Sequence, residues 1–397
     1  MKGKDIIVTG LQDFDIAIGS NCVNLTKEFA KDNRVLYLNY PVDRLSLIRH
    51  KHHPLVDKRV KVIKNERPGL VQIHENLWSY TPKTIIESIA QIGNKSIFDF
   101  FNKRNNKKFA KETKQIIDQL GFKDVVVFND SDIYRTLFFK EILEPDLYIY
   151  YTRDNLIHTD YYKKHGARIE SQHMAKADLI VANSLYLADY GSQHNPNSHY
   201  VGQGCDIDLF DSSKVKAIPE DLKQIKPPVI GYIGALRTLR LDINIIKELA
   251  LANSDWSIVL IGPEDDEFKK SELHQLRNVY FLGSKNINEL PSYLQGFDVA
   301  INPQKINEVT IGNYPRKIDE YLAMGKPTIG TRTRAMEAFK GIVYLAKNAE
   351  EYVSHSIHAL ENESEERIQE RKNFARNHTW ENNVNEIYKA IKNTINK

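Results

Sequence analysis

The chain has 397 residues, 41% hydrophobic and 27% charged, with a formal net charge of +3. These proportions exclude a disordered or fibrous chain, and the length implies two or three domains, each able to bury a sizeable core. No run of about 18 apolar residues occurs, so no segment reads as a membrane-spanning helix.

The opening Met1-Lys-Gly-Lys-Asp-Ile-Ile-Val-Thr-Gly10 has too short an apolar core for a signal peptide and reads as a strand and turn. Strands follow over residues 5–9, 34–39, 70–79, 124–128, 147–151 and 179–182, with helices over 21–31 and 108–120. Cys22 and Cys205 are far apart and match no metal spacing, which suits reduced thiols in a cytoplasmic protein. Residues 44–114 hold 16 Lys and Arg against 6 Asp and Glu. Within them Phe98, Phe100 and Phe101 interleave with Lys103, Arg104, Lys107 and Lys108. Such a segment suits an anionic membrane surface or a phosphorylated lipid. It suits nucleic acid equally, although no nucleic-acid-binding motif accompanies it, and a plain solvated helix is the third reading.

A polar seam over 211–228 ends in Lys226-Pro-Pro228, and a second alternating series begins. Its strands are 229–233, 257–261, 279–282, 299–302 and 327–330, with helices near 242–253 and 287–294. The alternation predicts an α/β protein of two doubly wound, Rossmann-like domains facing across a cleft, with ligands beyond the carboxyl ends of the strands. The expected boundaries are 1–210, 211–378 and a final helix over 379–397.

The segment Asn313-Tyr-Pro-Arg-Lys-Ile-Asp-Glu-Tyr-Leu-Ala-Met-Gly-Lys-Pro327 carries the most chemistry. Asn313 suits a helix cap, Pro315 its first turn, and Gly325 its end. Lys317 and Glu320, three apart, point from one helix face into one pocket. A helix start with a nearby Lys suits phosphate, and a carboxylate one turn later suits the vicinal hydroxyls of a ribose. The turn Gly234-Ala-Leu-Arg-Thr-Leu-Arg240 lacks the Gly-x-Gly-x-x-Gly dinucleotide pattern, but Arg237 and Arg240 suit a diphosphate leaving group. Asp130-Ser-Asp132 mimics a metal-binding Asp-x-Asp pair; the pattern is short enough to arise by chance, and no metal or other cofactor is expected.

Val229-Ile-Gly-Tyr-Ile-Gly-Ala-Leu236, Leu260-Ile-Gly-Pro263, Asn278-Val-Tyr-Phe-Leu-Gly283, Phe297-Asp-Val-Ala-Ile-Asn-Pro303 and the Pro315–Pro327 stretch occur in the order and spacing of GT-B glycosyltransferases. They resemble the large retaining, family-4-like group that uses nucleotide-diphosphate sugars, and within it the bacterial polysaccharide-assembly branch. The N-terminal half matches more loosely, through Glu170, Ala177-Asp-Leu-Ile-Val-Ala-Asn-Ser184 and Val201-Gly-Gln-Gly-Cys-Asp206. Thr379-Trp-Glu381 resembles the segment that crosses back to the N-terminal domain.

The expected donor site comprises Gly234, Arg237, Arg240, Gly283, Ser284, Gly312, Asn313, Tyr314, Lys317 and Glu320, with uracil near Gly283-Ser-Lys285; Arg240 takes the place of the family's Lys, whereas the family's Arg place falls on Ala235 and Arg237 enters on its charge. The resemblance implies a catalytic Asp154 beside the anomeric carbon, with Arg240 and Lys317 on the leaving group. Gly19, Ser20 and Arg153 fall on the acceptor side. Relatives often place a sugar-contacting Glu where this chain has Gly312. The expected partners are a UDP-type sugar donor, a polysaccharide or lipid-linked glycan acceptor, and an anionic membrane at the inner face of the plasma membrane. A nucleotide-sugar 2-epimerase and a catalytically silent subunit supporting a partner transferase are the alternatives.

Overall fold

The computed structural model describes residues 1–15, 20–50 and 52–395. They group into two compact units: Met1–Asn183 with Leu187–Val201 and Val384–Lys397, and Ser184–Tyr186 with Gly202–Asn383. Apart from the short stretch Ser184–Tyr186, the seams lie at 201/202 and 383/384, against 210/211 and 378/379 in the sequence reading.

The first unit carries β1 (Asp5–Thr9), β2 (Arg34–Leu38), β3 (Val42–Asp43), β4 (Leu70–His74), β5 (Leu77–Tyr80), β6 (Ile85–Ile86), β7 (Val125–Asp130), β8 (Leu147–Thr152), β9 (Leu179–Ala182) and β10 (Ser198–Tyr200). Eight form one sheet in the order β10-β9-β8-β7-β1-β2-β5-β4, and β3 pairs with β6 separately. Every residue of β1, Asp-Ile-Ile-Val-Thr, is buried, as a parallel strand covered on both faces requires. The sheet is parallel except at its edge, where β4 runs antiparallel to β5. The expected strand over 70–79 is therefore a hairpin. The polar pair Glu75-Asn76 makes the turn, and the Asn76 carbonyl accepts from the Val35 amide at 2.8 Å.

The helix expected over 108–120 extends much further, from Lys95 to Leu120. The Asn94 side chain caps it on the Ile97 amide, and Gly121 closes it in the left-handed conformation at φ +61°. Its first half hid from a hydrophobic count because Asn102, Asn105 and Asn106 occupy its buried face. Each finds partners there: Asn102 and Asn106 both donate to the Tyr134 carbonyl at 2.8 Å, and Asn105 bonds the Glu87 backbone in both directions.

The second unit holds β11 (Val229–Ile233), β12 (Ser257–Ile261), β13 (Val279–Gly283), β14 (Val299–Asn302), β15 (Thr328–Thr331) and β16 (Tyr344–Ala346). Their order, β13-β12-β11-β14-β15-β16, is all parallel and reverses direction between β11 and β14, which makes a doubly wound sheet with its switch point there. Alternate residues feed two apolar layers, Val259 and Ile261 on one face and Ile258 and Leu260 on the other. Gly231 in β11 is dictated by packing, since a Cβ there would lie 2.2 Å from the Phe297 ring.

Candidate active site

A cavity of about 330 Å³ opens at the carboxyl ends of β11 and β14, within the size range of small-ligand pockets. Its walls include Tyr232, Gly234, Arg240, Asn302, Gln304, Asn313, Tyr314, Arg316, Lys317 and Glu320. Six of the ten residues expected around the donor therefore meet in one place: Gly234, Arg240, Asn313, Tyr314, Lys317 and Glu320. Phe210, Ile287 and Leu290 supply apolar wall.

The helix that carries the two key side chains starts later than its sequence suggests. It runs from Lys317 to Ala323, and Arg316, not Asn313, is the residue before its first turn. Pro315 has no N–H and biases Tyr314 towards extended backbone, so 313–315 stays irregular. Asn313 instead donates towards the Gln304 side chain at 3.4 Å. At seven residues the helix is short, and the positive charge at this wall rests on side chains.

Lys317 reaches across to β11, where its Nζ hydrogen-bonds the Tyr232 hydroxyl and lies 4.0 Å from the ring centroid. Gly234, at φ +146°, leaves the space this needs: a Cβ there would come within 2.5 Å of Nζ. Glu320 sits one turn on, with Arg316 Nε 3.3 Å from its carboxylate. Burial pushes the Glu320 carboxyl above its ordinary range, against the opposing pull of Arg316 and Lys317. Arg240 is exposed, lines the cavity and forms no ion pair among the described residues. Its loop is stitched to the opposite wall by the Lys305 amide on the Arg240 carbonyl at 2.9 Å and by Asn307 on the Leu239 carbonyl at 2.8 Å.

Tyr314 is braced from behind. Its hydroxyl is 3.2 Å from Asp319 Oδ1 and 3.3 Å from His378 Nδ1, and His378 itself contacts that oxygen at 2.5 Å. Burial raises the Asp319 carboxyl, with His378 opposing.

Four expected donor residues lie off the cavity wall. Arg237 is exposed beside it, and its carbonyl accepts from the Arg240 and Leu241 amides. Gly283, the last residue of β13, and Ser284 after it are exposed. Gly312 is buried, and its carbonyl accepts from the Ser184 hydroxyl at 2.8 Å. Conversely, Tyr232, Asn302, Gln304 and Arg316 were not singled out. Arg316 was legible as the neighbour of Lys317, and Tyr232 as the strand residue two before Gly234; Asn302 and Gln304 looked like ordinary loop polarity.

In the first unit, Arg153 is largely buried and donates through Nε to both oxygens of Asp130, at 2.9 and 3.1 Å. Its Nη1 reaches Asp154 at 3.2 Å. Burial raises the Asp130 carboxyl, and Arg153 offsets part of that rise. The second Asp of the Asp-Ser-Asp triplet, Asp132, pairs with Arg135 at 2.9 Å, so each carboxylate of the triplet faces a guanidinium. Among the described residues no cluster of His, Cys, Asp and Glu could hold a metal ion. Ser20, at the start of the helix Asn21–Phe29, has a buried hydroxyl with no hydrogen-bond partner among the described residues. Gly19 lies outside the described residues. Cys22 and Cys205 are both buried free thiols.

Comparison with known proteins supplies the frame for this geometry. The family model described as glycosyl transferases group 1 matches residues 227–362. TuaH of Bacillus subtilis (strain 168), a protein named for teichuronic acid biosynthesis and glycosyl transfer, is 28% identical over 239 residues, which cover 57% of this chain. That match spans 60% of the relative's own length. Anabaena Alr3699/HepE in complex with UDP superposes with a TM-score of 0.64 at 14% identity, covering 98% of this chain and 100% of that one. Sucrose-phosphate synthase of Thermosynechococcus elongatus gives 0.65 at 12%, with 99% of both chains covered. Trehalose 6-phosphate synthase of Burkholderia multivorans gives 0.67 at 10%, covering 100% of this chain and 99% of that one. With two Rossmann-like units, the chain has the GT-B fold, and its segment 227–362 is similar to the glycosyl transferases group 1.

Proposed function

We propose that the protein is a glycosyltransferase that moves a sugar from a nucleotide diphosphate, UDP in the first instance, to a polysaccharide or lipid-linked glycan, with retention of anomeric configuration. The observation that carries this reading is the cavity at the β11/β14 switch point, where Arg240 and Lys317 face Glu320. Glu320 accepts from the ribose hydroxyls. Arg240 and Lys317, joined by Arg316, hold the diphosphate and neutralise its charge as the glycosidic bond breaks. A leaving group held this way needs no divalent ion. The uridine assignment draws support from the HepE complexes with UDP and with UDP-glucose, and the acceptor class from the naming of TuaH.

In the first unit we assign Asp154 to the positive charge that develops on the sugar ring. Arg153, anchored on buried Asp130, fixes its orientation. The basic excess over residues 44–114 is assigned to a membrane surface. Ile48, Ile97 and Phe100 are 72%, 50% and 63% exposed, and Arg49, Lys103 and Arg104 are exposed with them. Apolar side chains among cations suit an anionic interface.

The test is incubation with a panel of UDP- and GDP-sugars, with and without a glycan acceptor, in EDTA. Nucleotide release that requires the acceptor and survives EDTA is expected. Activity lost in EDTA and restored by manganese would overturn the metal-free leaving-group assignment. Absence of release with every donor would remove the transferase reading itself.

A further inference from the structure

Asn302 ends β14 and is only 4% exposed, yet its Nδ2 has no hydrogen-bond partner among the described residues while the side chain lines the cavity. Buried amide groups are almost always paired, and leaving one unpaired is costly, so an unmatched donor in a cavity wall points to a ligand acceptor. Its position is fixed from behind. The Asn302 carbonyl accepts from the Tyr352 hydroxyl at 2.7 Å, and that hydroxyl also meets Thr331 Oγ1 at 2.9 Å.

Two further carboxamides share the wall. Gln304, 5% exposed, donates through Nε2 to the Thr310 carbonyl at 2.9 Å, which turns its Oε1 towards Asn313. The wall therefore offers donors and acceptors without charge. The charged groups of the cavity are Arg240, Arg316, Lys317 and Glu320. Three cations against one carboxylate leave a formal excess that the two negative charges of a nucleoside-diphosphate sugar balance. Among the described residues of the wall, no cation remains for a further anionic group.

Building on the donor-site reading above, we propose that Asn302, with Gln304 and Asn313, reads the hydroxyl or carbonyl oxygens of an uncharged donor sugar, so that the site selects neutral hexoses over hexuronates. Carboxamides would then serve where relatives often carry a carboxylate, at the position this chain fills with Gly312.

The experiment is calorimetric titration of the wild type, Asn302→Ala and Asn313→Ala with UDP, UDP-glucose and UDP-glucuronate, alongside thermal melting of each protein. The expected result is UDP affinity within about twofold of wild type in both variants, with UDP-glucose weakened about tenfold in Asn302→Ala. A smaller loss is expected in Asn313→Ala, which stands on the half-buried rim and tests the same wall should Asn302→Ala fail to fold. Wild-type protein should bind UDP-glucose more tightly than UDP-glucuronate. Equal losses for UDP and UDP-glucose would place Asn302 on the nucleotide and overturn the inference. So would unchanged UDP-glucose affinity in both variants, or a preference for the glucuronate. Wild-type protein that binds none of the three would overturn the donor-site reading, and the inference with it.

Discussion

At the level of single residues, the donor assignment rests on a few charges whose removal should be measurable. Lys317→Ala removes a cation that Gly234 leaves room for, and Glu320→Ala removes the only carboxylate on the cavity wall among the described residues. A lost charge-assisted contact is worth about 1.5–3 kcal/mol, so UDP-glucose affinity should fall roughly ten- to hundredfold in each variant. Titration calorimetry on folded protein checks this, and unchanged affinity in both would move the site elsewhere. Much of this residue pattern was readable in the sequence, because Lys317 and Glu320 are three apart on one helix and their chemistry is distinctive. What the sequence withheld was which loop residues turn inward. Arg237 and Arg240 are chemically equivalent in the sequence, yet only Arg240 lines the wall, because the Arg237 backbone forms the turn that the Arg240 and Leu241 amides close. Asn313 fits a helix cap by residue type, but Pro315 delays the helix and leaves Asn313 against Gln304.

At the level of elements, strands buried on both faces announced themselves as short apolar runs, and 5–9, 229–233 and 299–302 have the bounds found. Elements whose buried faces carry polar groups were hard to see, as the first half of the helix Lys95–Leu120 demonstrates. Glu170 is another such group. It lies on the helix Gly166–Lys176, is 2% exposed, and accepts from the Tyr150 hydroxyl of β8 at 2.9 Å. Burial raises its carboxyl from 4.5 to about 7. The folded state thus holds this proton more tightly than the unfolded state. Its stabilising effect is complete below pH 4.5 and is lost as pH rises to about 7, a change of at most about 3 kcal/mol. Glu170→Gln keeps an acceptor for Tyr150 and cannot ionise. Its melting temperature should vary less than that of the wild type between pH 5 and pH 8, and should be the higher of the two at pH 8. Identical pH slopes in variant and parent would remove Glu170 as the source.

At the level of the whole molecule, charge is distributed unevenly along the chain, and the excess over 44–114 coincides with exposed Ile97 and Phe100 on one helix. Each cation near an anionic membrane contributes about 1 kcal/mol and is screened within a Debye length, about 10 Å at 0.1 M salt. The protein should therefore sediment with anionic liposomes at low salt and be released at high salt. Replacing Lys103, Arg104 and Lys107 with Glu should abolish sedimentation and spare nucleotide binding; Lys108 is left in place because its Nζ is 3.4 Å from the Ile85 carbonyl. Wild-type protein that ignores such liposomes at low salt would make a soluble acceptor the better hypothesis.

The division of the chain into units carries a consequence for how it is made. The last helix, Trp380–Ile395, begins in the second unit, and from Val384 onward it belongs to the first. There the Tyr388 hydroxyl accepts from Asn33 at 3.0 Å, its ring lies 6.0 Å from Phe29, and Ile387 is fully buried. A ribosome adds these residues only after the whole of the second unit. The first unit, though translated first, therefore lacks part of its own core until synthesis of the second is complete. The usual order, in which an N-terminal domain finishes folding before its successor emerges, is closed to this chain.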